Sequence, residues 1–143
     1  MAPDTELDPY RHTGYLIRRA QQLHVATWTR VVSTETSSVQ YAIMAVLHRV
    51  GDASQRELCD AVDLDRSTIA DLIARMERRG LVARHRDPAD RRRNTVTLTD
   101  AGQTEYAMLQ PRVTTADAEL TSILDPTDRE ALRQALRELL AAT

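Results

Sequence analysis

Residues 54–99 read SQRELCDAVDLDRSTIADLIARMERRGLVARHRDPADRRRNTVTLT: a short helix, a tight turn, a longer helix, then two strand-like pieces around an arginine-rich turn. In the first piece Leu58, Ala61 and Val62 make one apolar edge. Asp63-Leu64-Asp65 breaks the pattern, and Asp65 suits a helix N-cap because its carboxylate can accept from the first unpaired backbone N–H groups. Ile69, Leu72, Ile73 and Met76 then recur at steps of 3, 1 and 3, the spacing of a buried helical stripe. Arg66, Ser67, Thr68, Ala70, Asp71 and Arg75 fall on the other face. Gly80 after Arg78-Arg79 closes the helix. Two helices around such a turn form a helix-turn-helix whose second helix can offer its front half to a DNA groove.

Leu81 to His85 and Thr95 to Leu98 are strand-like, with Val96 and Leu98 on one face and Thr95, Thr97 and Thr99 on the other. A helix-turn-helix followed by a basic hairpin is a winged helix, so the fold class is mainly α with a small β-hairpin wing. From Arg75 to Arg93 there are eight arginines and three acids, a net +5. A charge run is ordinarily a solvated face. This one falls where a groove-reading helix and a hairpin tip would meet phosphates. Arg66, Ser67, Thr68 and Arg75 are therefore candidate base or phosphate contacts. Arg91, Arg92 and Arg93 are candidates for the flanking minor groove, where arginine reads width and negative potential.

The run LDRSTIADLIARMERRGLVARHRDPADRRRNTVTLTDAG resembles the core of the multiple-antibiotic-resistance regulator (MarR) family. The matching pieces are Asp65-Arg66-Ser67-Thr68, Arg79-Gly80-Leu81-Val82, the wing Asp90-x-Arg92, and Leu98-Thr99-Asp100-x-Gly102. The last two together are specific, since a generic helix-turn-helix lacks them. The resemblance implies a homodimeric, ligand-responsive transcription factor, usually a repressor, on a pseudo-palindromic double-stranded operator. It also implies that Asp90 holds Arg92 by an ion pair. One departure is Asp71, where many relatives carry Arg or Lys; it removes a phosphate contact.

The flanks fit that order. A long helix is expected from about Tyr10 to Val32, with one arc of Tyr10, Ile17, Gln21, His24 and Trp28 and a second edge of Leu16, Ala20 and Leu23. Ser33–Ser38 is a polar connection, and Val39–Val50 a largely buried helix ended by Gly51. Asp100 to about Ile123 forms another long helix, with Thr99 or Asp100 as cap and a kink or a local adjustment expected at Pro111. Thr127-x-x-Glu130 reads as a capping box opening a last helix with Leu132, Leu136, Leu139 and Leu140 on one side. Long terminal helices of this kind dimerise. The expected organisation is one domain, with dimerisation helices at 10–36 and 100–143 and a winged helix-turn-helix lobe at 37–99.

The first-helix run His12-x-Gly14-Tyr15-x-x-Arg18-Arg19-x-Gln21-Gln22-x-His24-x-x-x-Trp28 resembles a MarR subgroup answering to aromatic carboxylates and phenolic acids. Arg18 can hold a carboxylate through two charge-assisted bonds, Trp28 offers a flat wall, and Tyr15 or His24 can bond a ring hydroxyl. Tyr41 and Met44 are expected as further lining, between the dimer helices and the DNA-binding lobe. The bland alternative makes Trp28 core, His24 a satisfied interface histidine and Arg18 an ion-pair residue.

Length and composition bound the rest. With 143 residues, 42% hydrophobic, this is one domain's worth of chain with a real core. The net charge of −2 hides the local basic patch. All nineteen basic residues are arginine. One cysteine, Cys59, excludes an intrachain disulfide framework and reads as a small buried residue rather than a redox sensor. The four histidines lack paired metal spacing, so no metal or other cofactor is expected. No nucleophile elbow, glycine-rich phosphate loop or convergent carboxylate pair appears, so no enzyme is expected. No apolar run reaches membrane-span length, and MAPDTELDPY is not a basic-then-apolar leader; residues 1–8 read as loose. A soluble cytoplasmic regulator follows, with a ligand-independent or redox-responsive DNA binder as the alternative.

Overall fold

The structure is a computed structural model that describes residues 8–90 and 92–142. In chain order it has a 3₁₀ turn (Pro9–Arg11), α1 (Thr13–Val31), α2 (Ser38–Val50), β1 (Asp52–Ser54), α3 (Gln55–Val62), α4 (Arg66–Arg78), β2 (Val82–Arg86), β3 (Asn94–Leu98), α5 (Asp100–Leu120) and α6 (Pro126–Ala141). The chain forms two compact units, residues 33–112 and the described parts of 1–32 with 113–143.

In the unit 33–112 the helix-turn-helix stands as the periodicity requires. Ile69, Ile73 and Met76 of α4 are fully buried, and Leu72 packs half-buried beside them. Each such side chain contributes about 1.5–3 kcal/mol when buried. They meet Ile43, Met44 and Leu47 of α2, Leu58 of α3, and Leu81, Val82 and Val96 from the sheet region. Ser37 opens α2 with a reciprocal capping box: its Oγ accepts from Gln40 N (3.2 Å), and Gln40 Oε1 accepts from Ser37 N (3.0 Å). Ser54 Oγ accepts from Glu57 N at 3.1 Å and opens α3. The turn between α3 and α4 passes through Asp63, whose φ of 54° is the one positive value among described non-glycine residues.

The wing sheet has a strand that periodicity alone misses. β1 is three residues long, too short to show alternation, and the antiparallel order is β1-β3-β2. Ala53 pairs with Val96 and Arg84 with Val96 on the other side, so β3 is central. Thr95 is buried along with Val96, so both faces of β3 are covered at this point.

A latch joins this sheet to α5. Thr99 N donates to Leu81 O (3.1 Å), Thr99 Oγ1 donates to Gly80 O (2.5 Å), and the same Oγ1 accepts from Gly102 N (3.0 Å). Thr99 is thus the cap. Gly102 is buried, and a Cβ there would lie 2.0 Å from Leu81 O, so the helix can start here only on glycine.

Three expected boundaries shift. The first helix begins at Thr13, not Tyr10, because Asp8 closes a separate turn: Asp8 Oδ1 accepts from Tyr10 N (3.0 Å) and Asp8 O from Arg11 N (3.1 Å). The fifth helix stops at Leu120 rather than Ile123 and runs continuously through Pro111. The last helix is capped by Asp125, whose Oδ1 accepts from Asp128 N (2.8 Å), not by a Thr127 capping box. Pro126 at the first helical position selects Asp125, since its missing N–H and fixed φ suit that site. The loose segment expected at residues 1–8 lies outside the described residues except for Asp8.

In the other unit, Arg30 of α1 makes a bidentate pair with Glu119 of α5 (2.5 and 3.5 Å), and Arg133 of α6 pairs with Asp117 (2.9 Å). Leu132, Leu136, Leu139 and Leu140 of α6 are 40–68% exposed in the single chain, and Leu16, Ile17, Leu23 and Val25 of α1 are also exposed. No helix among the described residues is long and apolar enough to cross a membrane.

Candidate nucleic-acid interface

Asp65 organises the front of α4. Its Oδ2 accepts from Ser67 Oγ (2.5 Å) and Thr68 N (3.1 Å), and its Oδ1 from Thr68 Oγ1 (2.5 Å). The Ser67 hydroxyl first, then the Thr68 hydroxyl and N–H, hold this carboxyl well below the usual carboxylate range. Ser67 and Thr68 are exposed, but each hydroxyl proton is engaged; what remains for DNA is their acceptor capacity. Arg66, beside them, is exposed with no acidic partner among the described residues.

Pairing divides the +5 run. Arg75 pairs with Asp71 at 3.0 Å, Arg84 with Glu77 at 3.7 Å, and Arg93 with Glu57 of α3 and with Asp87 at 3.9 Å. Asp71 therefore occupies the neighbouring arginine. Arg92 is exposed and carries no ion pair among the described residues; Arg91 lies outside them.

The expected Asp90–Arg92 ion pair is not formed. Asp90 Oδ1 instead accepts from the Arg92 backbone N–H (3.0 Å), while Asp90 O accepts from Arg93 N (2.9 Å) and Arg93 O from Asp87 N (2.8 Å). A short aspartate two residues before an N–H closes an Asx turn more readily than it reaches a guanidinium. Asp90 shapes the wing tip and leaves the Arg92 side chain uncommitted.

A network that sequence patterns did not reveal sits behind α4. Arg79 Nη1 donates to Thr36 Oγ1 (3.0 Å) and Glu35 O (3.3 Å), its Nη2 lies 3.7 Å from both Glu35 and Glu105, and Thr36 Oγ1 donates to Glu105 Oε1 (3.1 Å). Beside it Tyr106 stacks on Tyr41 (5.3 Å) and His48 (4.6 Å), and His48 Nδ1 meets Gln103 at 3.0 Å. Burial, then the bond with Tyr106, pushes the Tyr41 hydroxyl up to about 12.

The candidate ligand residues fall on two helices. On α1 the Arg18 guanidinium carbon lies 5.1 Å from the Tyr15 ring centroid, and His24 and Trp28 are tilted neighbours at 6.0 Å. Arg19 Nη1 donates to Tyr15 OH at 3.3 Å, the main reason that phenol sits below its ordinary value. Arg18 is exposed and has no carboxylate partner among the described residues. Trp28 is 7% exposed; on α2, Met44 is fully buried in the lobe core and Tyr41 is half-buried. Cys59 is a free thiol, half-buried against the same core.

A capped recognition helix, a three-stranded wing and unpaired arginines on both define a winged-helix DNA-binding protein. The MarR family model matches residues 35–93. The transcriptional regulator HosA of Escherichia coli O111:H- is 34% identical over 126 residues, covering 88% of this chain and 93% of that one. Among solved structures, PcaV of Streptomyces coelicolor in complex with its natural ligand is 36% identical, with a TM-score of 0.90 over 95% of this chain and 96% of that one. BpsR of Bordetella bronchiseptica, whose DNA binding is regulated by 6-hydroxynicotinic acid, is 30% identical, with a TM-score of 0.85 over 90% and 93%. The chain belongs to the MarR family of DNA-binding transcriptional regulators.

Proposed function

We propose that this chain is a homodimeric repressor that leaves its pseudo-palindromic operator when a small aromatic carboxylate binds, and that Arg18 is the carboxylate anchor. The observation that carries this reading is the state of Arg18: exposed, placed over the Tyr15 ring, and without a carboxylate partner among the described residues. A guanidinium so placed offers a carboxylate two parallel charge-assisted bonds while the ring supports its face. The tilted His24–Trp28 pair on the same helix supplies a polar ring nitrogen and an aromatic wall. The similarity to BpsR, regulated by a hydroxylated aromatic acid, points to the same ligand class. The exposed leucines of α6 and apolar residues of α1 supply the self-complementary surface a dimer needs.

Release requires that the ligand bind a DNA-incompetent arrangement better than the competent one; occupancy alone shifts nothing. Hydroxybenzoates, hydroxycinnamates and 6-hydroxynicotinate should each be tested by thermal shift and by DNA gel shift. At least one should raise the melting temperature of the free protein and weaken DNA binding. Arg18→Ala should abolish both effects and leave DNA affinity nearly unchanged. No response at millimolar concentration, or an Arg18→Ala protein that responds like wild type, removes the assignment and favours the ligand-independent reading.

A further inference from the structure

We propose that Arg56, on the first turn of α3, is a DNA-backbone contact, the middle member of an unpaired row Arg66–Arg56–Arg92 that joins the recognition helix to the wing. The inference rests on the DNA-binding function of the family. Two clefts carry it. One, of about 580 Å³, opens between the start of α3 and the wing and is lined by Arg56 together with Arg92 and Arg93. The other, of about 220 Å³, lies at the junction of α3 and α4 and is lined by Arg56 together with Arg66. Arg56 is common to both, so it stands between the exposed arginine at the front of α4 and the exposed arginine of the wing.

Charge accounting gives the row its meaning. The acids around the larger cleft are Glu57, Asp60 and Asp90. Glu57 is paired with Arg93, and Asp90, which keeps its charge, accepts from the Arg92 backbone N–H at the wing tip. Asp60, one helical turn from Arg56, forms no ion pair with it. Arg56, Arg66 and Arg92 are all exposed and lack acidic partners among the described residues, whereas Arg75, Arg84 and Arg93 are each paired with a carboxylate. A free guanidinium binding a phosphate releases a condensed counterion without first breaking a protein ion pair. Wing and recognition helix straddle adjacent grooves, and the surface between them faces the phosphate ridge that separates those grooves. Arg56 fits that ridge, and its contact carries no base information.

The test measures binding of the full-length protein to a mixed-sequence DNA duplex three helical turns long, by fluorescence anisotropy across a salt series. Each phosphate contact contributes about 0.9 to the slope of log affinity against log salt, so the two copies in a dimer contribute about 1.8. Arg56→Ala should lower the slope by that amount. Its disadvantage relative to wild type should then shrink roughly tenfold between about 50 and 200 mM salt. Arg56→Lys should restore most of the slope, and the melting temperature of both variants should match wild type. A wild-type slope in Arg56→Ala overturns the proposal. So does a lowered melting temperature with no rescue by lysine, which would make Arg56 structural. A wild-type protein that fails to bind the duplex at all would instead contradict the family function.

Discussion

Replacing Gly102 by alanine adds one methyl group where α5 starts. Its Cβ would lie 2.0 Å from Leu81 O, 3.0 Å from Leu81 C and 3.0 Å from Leu98 Cδ2. An ordinary carbon–oxygen contact needs more than 3 Å, roughly the lower end of nonbonded separations. Either the helix start or the Leu81 carbonyl must therefore retreat by about 1 Å. That carbonyl is bonded to Thr99 N at 3.1 Å, and Thr99 Oγ1 holds Gly80 O, so the retreat stretches the latch beyond hydrogen-bonding range. Overpacking costs about 1–3 kcal/mol. A lost latch bond adds about 0.5–1.5 kcal/mol, and the better helix propensity of alanine returns at most about 1 kcal/mol. The net expectation is a loss of about 1–3 kcal/mol, which lowers the melting temperature by roughly 3–12 °C for a chain of this size. The assay is thermal unfolding followed by circular dichroism at one fixed protein concentration, because a dimer's midpoint depends on concentration. Gly14→Ala, the same chemical change on α1 with nothing within 4 Å of the added Cβ, is the control and should be neutral or mildly stabilising. A Gly102→Ala midpoint equal to or above wild type would refute the argument from close approach.

Arg92→Ala should weaken DNA binding by about 1–3 kcal/mol with the dimer intact; unchanged affinity across a salt series would remove Arg92 from the interface. The Asp65 carboxyl is depressed in the folded state, so its contribution is present above its ordinary value of 3.8 and lost as pH falls below it. Asp65→Ala should accordingly flatten the acid limb of the stability–pH curve, and an unchanged acid limb would show that the cap contributes nothing. Tyr41, raised to about 12, favours the folded state below the ordinary value of 10.0 and ceases to do so as pH rises through about 12. In an ultraviolet difference titration one tyrosine step should fall near pH 12, and Tyr41→Phe should remove it. Leu136→Arg on α6 should dissociate or aggregate the proposed dimer and abolish specific DNA binding; a variant that stays dimeric in sedimentation would place the interface elsewhere.

The helix-turn-helix was legible because each of its features is local. The Ile69–Met76 stripe, the Asp65 cap and the Gly80 stop all act within one or two helical turns. Where two local signals compete, the capping-box pattern points to the wrong one. Asp125 and Thr127 are both good caps, and Pro126 settles the matter only once its ring is placed at the first helical position. β1 escaped because three residues cannot display a period of two. The site was less legible than the fold. Net charge counts arginines equally, while pairing does not: Glu57 and Arg93 are 36 positions apart, and no spacing rule joins them. Asp71–Arg75, at i and i+4, was readable in principle. Arg56 lay outside the conspicuous basic run and became visible only when the clefts placed it beside Arg66 and Arg92.

Asp63 bears on how this protein can be improved as a reagent. It holds the turn between α3 and α4 in a left-handed conformation that most side chains resist, and it puts a carboxylate at the negative end of α3. Asparagine tolerates the same backbone and lacks the charge. Asp63→Asn is thus a route to a more heat-tolerant protein: it keeps the left-handed turn and removes the charge that opposes the C-terminal end of α3.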